Sequence, residues 1–435
     1  MSALALLLNQ LGKKVSGSDQ AESTLLDTLR IAGIQIHIGH AAEYAINAEL
    51  VVYSSAVKTD NPERMYAEQH GIPEIRRAEL LGQIASSYKH TVAVAGTHGK
   101  TTTTGMCGQI LVQAGCDPSI LVGGILPNLK SNLRLGKRDY IVVEADEYDR
   151  SFLALQPDSI IVTTLEADHL DIYKDIQDVR DTFLQFISKL SHGKSLVLQG
   201  DDLELVNLAK KSPVPVVTYG LSDMVHYRAT GLHLDTFTSS FKIQNQGELL
   251  GDVTLNMPGR HNVMNALAAS ALTHQMGIEF KHIKTGLESF RGVERRFEKR
   301  GIDKGVLFID DYAHHPSEIS ATLEAARSGW PNSRIIAVFQ PHLYSRTRDF
   351  ASDFAEALSR ADIAIITDIY PARERPIPGV SSKLIADYSN KVELVATIAD
   401  AHALLAPRLQ KDDILITLGA GDIWKLHTFF LGGNR

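Results

Sequence analysis

The chain has 435 residues, 44% of them hydrophobic and 22% charged, with a formal net charge of −7. That length exceeds what one core comfortably supports, so two or three domains are expected. The acidic balance argues against a general nucleic-acid or membrane-surface binder. No apolar run approaches membrane-spanning length, no secretory pattern opens the chain, and two cysteines, Cys107 and Cys116, fit a reducing compartment. A soluble, cytoplasmic protein is the expectation.

Taken in order, Ala3–Leu11 shows helical apolar spacing and Lys14–Ser18 reads as a short strand entering a turn. Thr24–Ala32 reads as a helix, with Gln35–Ile38 and Leu50–Ser54 as strands, so the first unit is expected to hold a parallel sheet. Near Thr91 a second unit begins. Its buried strands are Asp139–Glu144, Ser159–Thr164, Ser195–Leu198 and Val214–Thr218, and His233–Leu255 predicts an antiparallel hairpin around Asn245-Gln246-Gly247. A long helix is expected after Pro258 through Met276. The third unit carries strands at Val306–Asp310, Arg334–Phe339, Ile363–Asp368 and Ile414–Leu418. The predicted class is α/β with three domains, at 1–90, 91–297 and 298–435.

The stretch Val92–Thr104 reads VAVAGTHGKTTTT, an apolar run followed by a shortened Gly-x-x-Gly-Lys-Thr turn. Such a turn cradles phosphate on backbone N–H groups of the loop and the helix start, with Lys100 supplying charge and Thr101 an oxygen for Mg²⁺. In an open parallel sheet, ligands bind at strand carboxyl ends. Two further acidic strand ends, Glu144-Ala145-Asp146-Glu147 and Glu166-Ala167-Asp168-His169, accompany the turn. A carboxylate beside a phosphate needs a cation between them, which makes Glu144 and His169 candidate Mg²⁺ ligands, direct or through water, with Thr101.

Other groups carry two readings each. Arg295 and Arg296 are either a surface charge run or cations reaching a γ-phosphate. Asn262 is either a turn and helix-cap residue or a contact to a nucleotide base or ribose. Asp310-Asp311-Tyr312-Ala313-His314-His315-Pro316 and the segment His342–Arg348 again follow strands. Arg346 and Arg348 with His342 form either an anion clamp or a solvated helix start, where the helix dipole disfavours cations.

These segments resemble the Mur ligase family, in its order and over nearly the whole chain: VSGSD, SSAVKTDNPE, GTHGKTTTT, EADEYDRSF, EADHLD, GRHNVMNALAA, GVERRF, DDYAHHP, FQPHLYSRTRDF and GAGDIW. The resemblance implies a Rossmann-like N-terminal domain that binds UDP, a central P-loop ATPase domain with a mostly parallel sheet, and a Rossmann-like C-terminal domain. It also implies an ATP- and Mg²⁺-dependent ligation in peptidoglycan synthesis. The lactyl carboxylate of UDP-N-acetylmuramate takes the γ-phosphate, L-alanine attacks the acyl phosphate, and phosphate leaves.

On that basis Lys100, His169, Arg296 and His315 are expected to be catalytic. Gly96, Thr97, His98, Gly99, Lys100, Thr101, Thr102, Asn262, Arg295, Arg296 and Asp311 would hold nucleotide, and Thr101, Glu144 and His169 the metal. Ser18, Asp19, Ser54 and Ser55 would meet the sugar nucleotide, and His342, Arg346 and Arg348 the amino acid. No lysine is nominated as a carbamylated ligand. Family members open on a strand and glycine-rich loop, whereas this chain opens on the following helix, so the start is expected upstream of Met1. A monomer or weak homodimer is expected, without nucleic acid or membrane. The rival readings are a ligase that joins a tripeptide to the same sugar nucleotide and a non-catalytic sugar-nucleotide-binding protein.

Overall fold

A computed structural model of the chain describes residues 1–167 and 172–432. Helix Ser2–Gln10 precedes β1 (Ser16–Asp19), β2 (Gln35–Ile38), β3 (Val51–Tyr53) and β4 (Glu74–Arg76). β1 pairs only with β2 and β3 only with β4 among the described residues, each pair parallel. The single parallel sheet expected here is therefore two separate ribbons. These strands are three or four residues long and only half-buried, and β4 lacks the apolar run that would have revealed it. Helix Ser2–Gln10 buries Leu4, Leu6 and Leu7. They join the same core as Leu133 of the central unit.

The central unit contains β5 (His90–Ala95), β6 (Ser119–Leu126), β7 (Ser131–Arg134), β8 (Tyr140–Glu144) and β9 (Ser159–Val162). It continues with β10 (Ser195–Gln199), β11 (Val216–Gly220), β12 (Tyr227–Leu234), β13 (Ser239–Asn245) and β14 (Glu248–Leu255). One ten-stranded sheet runs β14-β13-β12-β11-β10-β9-β5-β8-β6-β7. The stretch from β12 to β6 is parallel, as near-continuous apolar strands buried on both faces require. At one edge the predicted hairpin turns at Gln246 (φ 48°) and Gly247 (φ 86°), the left-handed pair of a two-residue hairpin loop. β12 adds a third strand to it, antiparallel to β13.

Helices Lys100–Gln113, Arg260–Gln275 and Phe280–Ser289 cover one face through Met106, Ile110, Leu267 and Leu287. Helix Ile176–Ile187 covers the other through Phe183 and Phe186. β5 lies between β8 and β9, with Val94 level with Glu144 and Ala95 level with Val162. Three adjacent strand ends therefore open at one place, which is what positions the site.

The C-terminal unit has β15 (Glu298–Asp303), β16 (Val306–Asp311), β17 (Ile335–Phe339), β18 (Ile363–Ile366), β19 (Val392–Leu394) and β20 (Ile414–Leu418). Their order is β15-β16-β20-β17-β18-β19, parallel except for β15. Helices on both faces bury separate clusters, Leu323 and Phe354 on one side and Leu405 and Leu426 on the other. Among the described residues no helix is long and apolar enough to cross a membrane.

Candidate active site

The turn after β5 is a backbone device. Gly96 has φ 131°, and a Cβ there would lie 2.1 Å from Thr163 Oγ1. Gly99 has φ 81°, and its Cβ would lie 2.4 Å from Asn265 Oδ1. No side chain fits at either point, so the loop can approach a phosphate. Two of its N–H groups are turned into the protein. Thr97 donates to the Thr164 carbonyl at 3.0 Å, and His98 N–H donates to Thr164 Oγ1 at 2.9 Å. Anion donors are thus left chiefly to the first turn of helix Lys100–Gln113 rather than to the whole loop.

Lys100 Nζ donates to the carbonyls of Gly96 (2.6 Å) and Thr97 (3.1 Å) and to both oxygens of Glu147 (3.0 and 2.8 Å). Burial opposes the Lys100 charge, and Glu147, Asp146 and Glu144 together outweigh it, raising its pKa. Burial pushes the Glu147 carboxyl up to about 7 against the pull of Lys100. Glu144 accepts from the Gly123 N–H at 2.6 Å and from the Thr101 hydroxyl, and burial raises its pKa too. Thr101 and Glu144 are therefore brought together. His169 lies outside the described residues.

Residues Glu147 to Arg150 reach all three units: Glu147 and Arg150 bond within the central unit, Tyr148 meets the C-terminal unit and Asp149 the N-terminal unit. Tyr148 carries the Arg373 guanidinium 4.4 Å above its ring. Asp149 accepts from Ser55 Oγ at 2.5 Å, and Arg150 donates to Asp178 at 2.8 Å. Asp149 and Arg150 both sit at φ 53°.

A cavity of about 260 Å³ opens over the cradle, lined by His98, Thr101, Thr102, Asn262, Arg296 and Asp311 among others. Asn262 sits inside helix Arg260–Gln275, not at its cap, and donates to the Pro258 carbonyl at 2.7 Å. His261 also faces the cavity, where burial and then Arg296 hold its pKa down to about 4. Burial raises Asp311 to about 6, although it accepts from the N–H groups of Phe297 and Ala313 and from the Thr322 hydroxyl.

The arginine pair divides. Arg296 lines the cavity and donates to Glu318 at 3.2 Å. Arg295 does not line it. Its guanidinium enters the C-terminal unit, donating to Asp310 (2.8 Å) and to the carbonyls of Gly419 (2.7 Å) and Gly421 (3.2 Å). The left-handed backbone at Arg295 (φ 60°) and Phe297 (φ 51°) turns the two side chains apart.

The C-terminal unit closes over the cradle through the start of helix Pro316–Gly329. His98 Nδ1 lies 3.3 Å from Glu318, and Ser317 Oγ bonds His98 Nε2 at 2.9 Å and Glu166 at 2.9 Å. Burial opposes a charge on His98, but Glu166 and Glu318 prevail and raise it to about 9. His315 is buried, its Nδ1 2.8 Å from Ser317 Oγ and its ring 4.8 Å from that of His98. His342 stacks on Tyr370 and lies 6.0 Å, ring to ring, from His314. Arg346, four residues on, is buried, whereas Arg348 is exposed and pairs with Asp349 at 2.7 Å. Helix Tyr344–Asp349 has six residues with both arginines in its last turn, where the dipole favours cations, so the expected unfavourable placement does not occur.

In the N-terminal unit Ser18 bonds His40 Nδ1 (2.9 Å) and Glu63 (2.5 Å), and Asp19 closes the same strand. Ser54 and Ser55 follow β3. Glu147, Glu318 and His261 were missed as site residues. Glu147 ends a segment already singled out, Glu318 lies within a turn of another, and His261 adjoins Asn262.

Three family profiles match along the chain: the Mur ligase family catalytic domain over residues 1–89, the Mur ligase middle domain over 94–273, and the Mur ligase glutamate ligase domain over 295–421. A UDP-N-acetylmuramate–L-alanine ligase of Trichlorobacter lovleyi is 44% identical over 431 residues, covering 98% of this chain and 94% of that protein. The ligase of the same name from Geotalea uraniireducens is 45% identical over 434 residues, covering 98% and 94%. The crystal structure of UDP-N-acetylmuramate-alanine ligase from Thermotoga maritima superposes with a TM-score of 0.84 at 28% identity, covering 99% of this chain and 95% of that one. A murein peptide ligase from Psychrobacter arcticus gives a TM-score of 0.74 at 25% identity, covering 100% and 97%. With matching profiles in order along the chain and relatives of 44–45% identity over nearly its whole length, the chain belongs to the Mur ligase family.

Proposed function

We propose that the protein is an ATP-dependent ligase of peptidoglycan synthesis that joins L-alanine to the lactyl carboxylate of UDP-N-acetylmuramate, releasing ADP and phosphate. The carrying observation is the cradle at the end of β5, with Lys100 within it and Arg296, Asp311 and His315 brought over it by the closed C-terminal unit. The names of the relatives support the same reading.

Transfer of the γ-phosphoryl group to a carboxylate oxygen brings two anions together, so positioned positive charge does most of the work. Lys100 of the cradle and Arg296 of the cavity wall are proposed to supply it. The Thr101 hydroxyl and Glu144 carboxylate are hard oxygen donors already in contact, a set that suits Mg²⁺, with His169 proposed as the third ligand from sequence. Bound there, Mg²⁺ would neutralise phosphate charge during transfer. Thr97, His98, Gly99, Thr102 and Asn262 shape the nucleotide side, and Arg295 acts on it only by fixing the unit that carries Asp311. The L-alanine amine attacks the acyl carbon of the acyl phosphate so formed, the C–O bond to phosphate breaks, inorganic phosphate leaves and the amine gives up a proton, while the closed C-terminal unit keeps water from competing. His342 and Arg346 are proposed to face the amino acid. Ser18, Asp19, Ser54 and Ser55 are proposed for the sugar nucleotide. The division at residues 90/91 and 297/298, a cytoplasmic location and a monomeric or weakly dimeric state belong to the same proposal.

Phosphate release from ATP tests it, with UDP-N-acetylmuramate present and either L-alanine or the tripeptide L-alanyl-γ-D-glutamyl-meso-diaminopimelate added. Release with L-alanine is expected. Release only with the tripeptide would move the protein to the peptide-joining branch. Binding of substrates without release in either arm would overturn the enzyme reading.

A further inference from the structure

Ser317 Oγ is the meeting point of three side chains from separate segments: His98 of the cradle loop, Glu166 beyond β9, and His315 at the cap of helix Pro316–Gly329. It lies 2.9 Å from His98 Nε2, 2.9 Å from Glu166 Oε2 and 2.8 Å from His315 Nδ1. Those surrounding atoms lie close to one another as well. His98 Nε2 is 3.4 Å from Glu166 Oε2, His315 Nδ1 is 3.6 Å from it, and the three residues offer ligand atoms all within 4.8 Å.

An ion held at about 2.0–2.1 Å by tetrahedral nitrogen and oxygen donors sets those donors about 3.3 Å apart. Two of the three separations are already near that value. The donor set is two imidazoles and one carboxylate, which suits zinc-class ions and not Mg²⁺, whose preference is for six oxygens. Thr101 and Glu144, the pair suited to Mg²⁺, form a different group. His98 also has the outer partner that ligating histidines use: Glu318 lies 3.3 Å from Nδ1 and fixes the ring with Nε2 toward the centre. His98, Glu166 and Ser317 line the cavity, which provides an entry path and a fourth position.

We propose that His98, Glu166 and His315 form a zinc-class divalent cation site bridging the central and C-terminal units, entered by rotation of the Ser317 hydroxyl out of the centre. An ion held there ties the cradle loop to the C-terminal helix, so it fastens the closed arrangement. Because exchange of substrate and product needs that closure to release, zinc is expected to slow turnover even in excess Mg²⁺.

The test needs no substrate and so stands apart from the ligase reading. Zn²⁺ alone is titrated into the metal-stripped full-length protein against a chromophoric chelator, and Co²⁺ is added separately for its visible absorption. One equivalent of Zn²⁺ and a tetrahedral Co²⁺ spectrum are expected. His98→Ala and His315→Ala should each weaken binding at least about tenfold, the loss that even outer partners produce, and abolish the Co²⁺ spectrum. His192→Ala, on an exposed residue outside the cluster, should change neither. Glu166→Gln, which alters charge without volume, decides the matter should either alanine variant melt early. The proposal is overturned by the absence of a stoichiometric equivalent in the wild type. It is overturned equally by binding that all the folded variants retain.

Discussion

Replacing Arg295 with alanine should loosen the C-terminal unit, whereas the same change at Arg296 should stop the chemistry. Asp310, the Arg295 partner at 2.8 Å, is 0% exposed and among the described residues keeps the Thr417 hydroxyl (2.7 Å) once the arginine is gone. Truncating one member of a buried ion pair costs about 3–5 kcal/mol. Each of the Gly419 and Gly421 carbonyls also loses its arginine donor, at roughly 1 kcal/mol apiece where water does not replace it. The Arg295 side chain is 22% exposed, so water recovers part of this and the lower end, about 3 kcal/mol, is the better figure. For a unit of this size, Tm should fall by about 10 °C.

The two tryptophans make the assay selective, because Trp330 and Trp424 both lie in the C-terminal unit. A fluorescence melt therefore reports that unit, and phosphate release measured well below both transitions reports chemistry. Arg296→Ala should melt nearer to wild type than Arg295→Ala, because its partner Glu318 keeps His98 and the His314 N–H, and should lose turnover on the order of a thousandfold, the scale of a lost phosphate-facing arginine. Equal melting of Arg295→Ala and wild type would refute the reasoning, as would a turnover loss in Arg295→Ala matching that of Arg296→Ala.

Three further outcomes follow from the geometry. Gly99→Ala forces a Cβ to 2.4 Å from Asn265 Oδ1 at φ 81°, so ATP affinity should fall at least about tenfold (1.4 kcal/mol) in a direct binding assay; unchanged affinity would show that the loop does not meet phosphate. Glu144→Gln keeps an acceptor for Gly123 N–H while removing a carboxylate whose pKa burial raises. It should preserve Tm and raise the Mg²⁺ concentration for half-maximal phosphate release at least about tenfold; an unaltered Mg²⁺ requirement would exclude Glu144 as a ligand. The His98 cation, raised to about 9 by Glu166 and Glu318 against burial, favours closure. Only the Glu318 share of that shift is tied to closure, because Glu166 stays with His98 in the central unit, and that share is lost as pH rises through about 9. The radius of gyration of the metal-free protein, measured by small-angle scattering, should increase across that window; a flat profile would remove His98 from the closure contacts.

The parts legible in the sequence were those set by local chemistry. Val92–Ala95, Ile141–Val143 and Ile160–Val162 are apolar runs with no polar alternation, so their place in a buried parallel sheet followed, and with it the convergence of Gly96–Lys100 with Glu144 and Glu166. The N-terminal ribbons were not legible as two sheets, because pairing partners leave no mark in strands of three or four half-buried residues. Nothing in the pair Arg295-Arg296 tells which guanidinium turns inward, since the answer depends on positive φ values at non-glycine residues. The helix-start reading of Arg346 and Arg348 failed for a related reason: their helix is too short for its boundaries to be placed by periodicity. The Lys100–Glu147 pair was hidden because a kinked segment with two left-handed residues, and no regular element, delivers the glutamate.

That same segment has a mechanical consequence. Residues held at φ 53° in succession are strained by about 1–3 kcal/mol each. Glu147, Tyr148 and Asp149 anchor at once on Lys100, on Arg373 of the C-terminal unit and on Ser55 of the N-terminal unit. Drawing either outer unit away removes one anchor and frees the backbone to unwind toward ordinary dihedrals. The Glu147 carboxylate would then slacken its hold on the lysine that serves the nucleotide. Residues 147–150 thus tie the cradle lysine to both outer units through one short strained stretch of backbone.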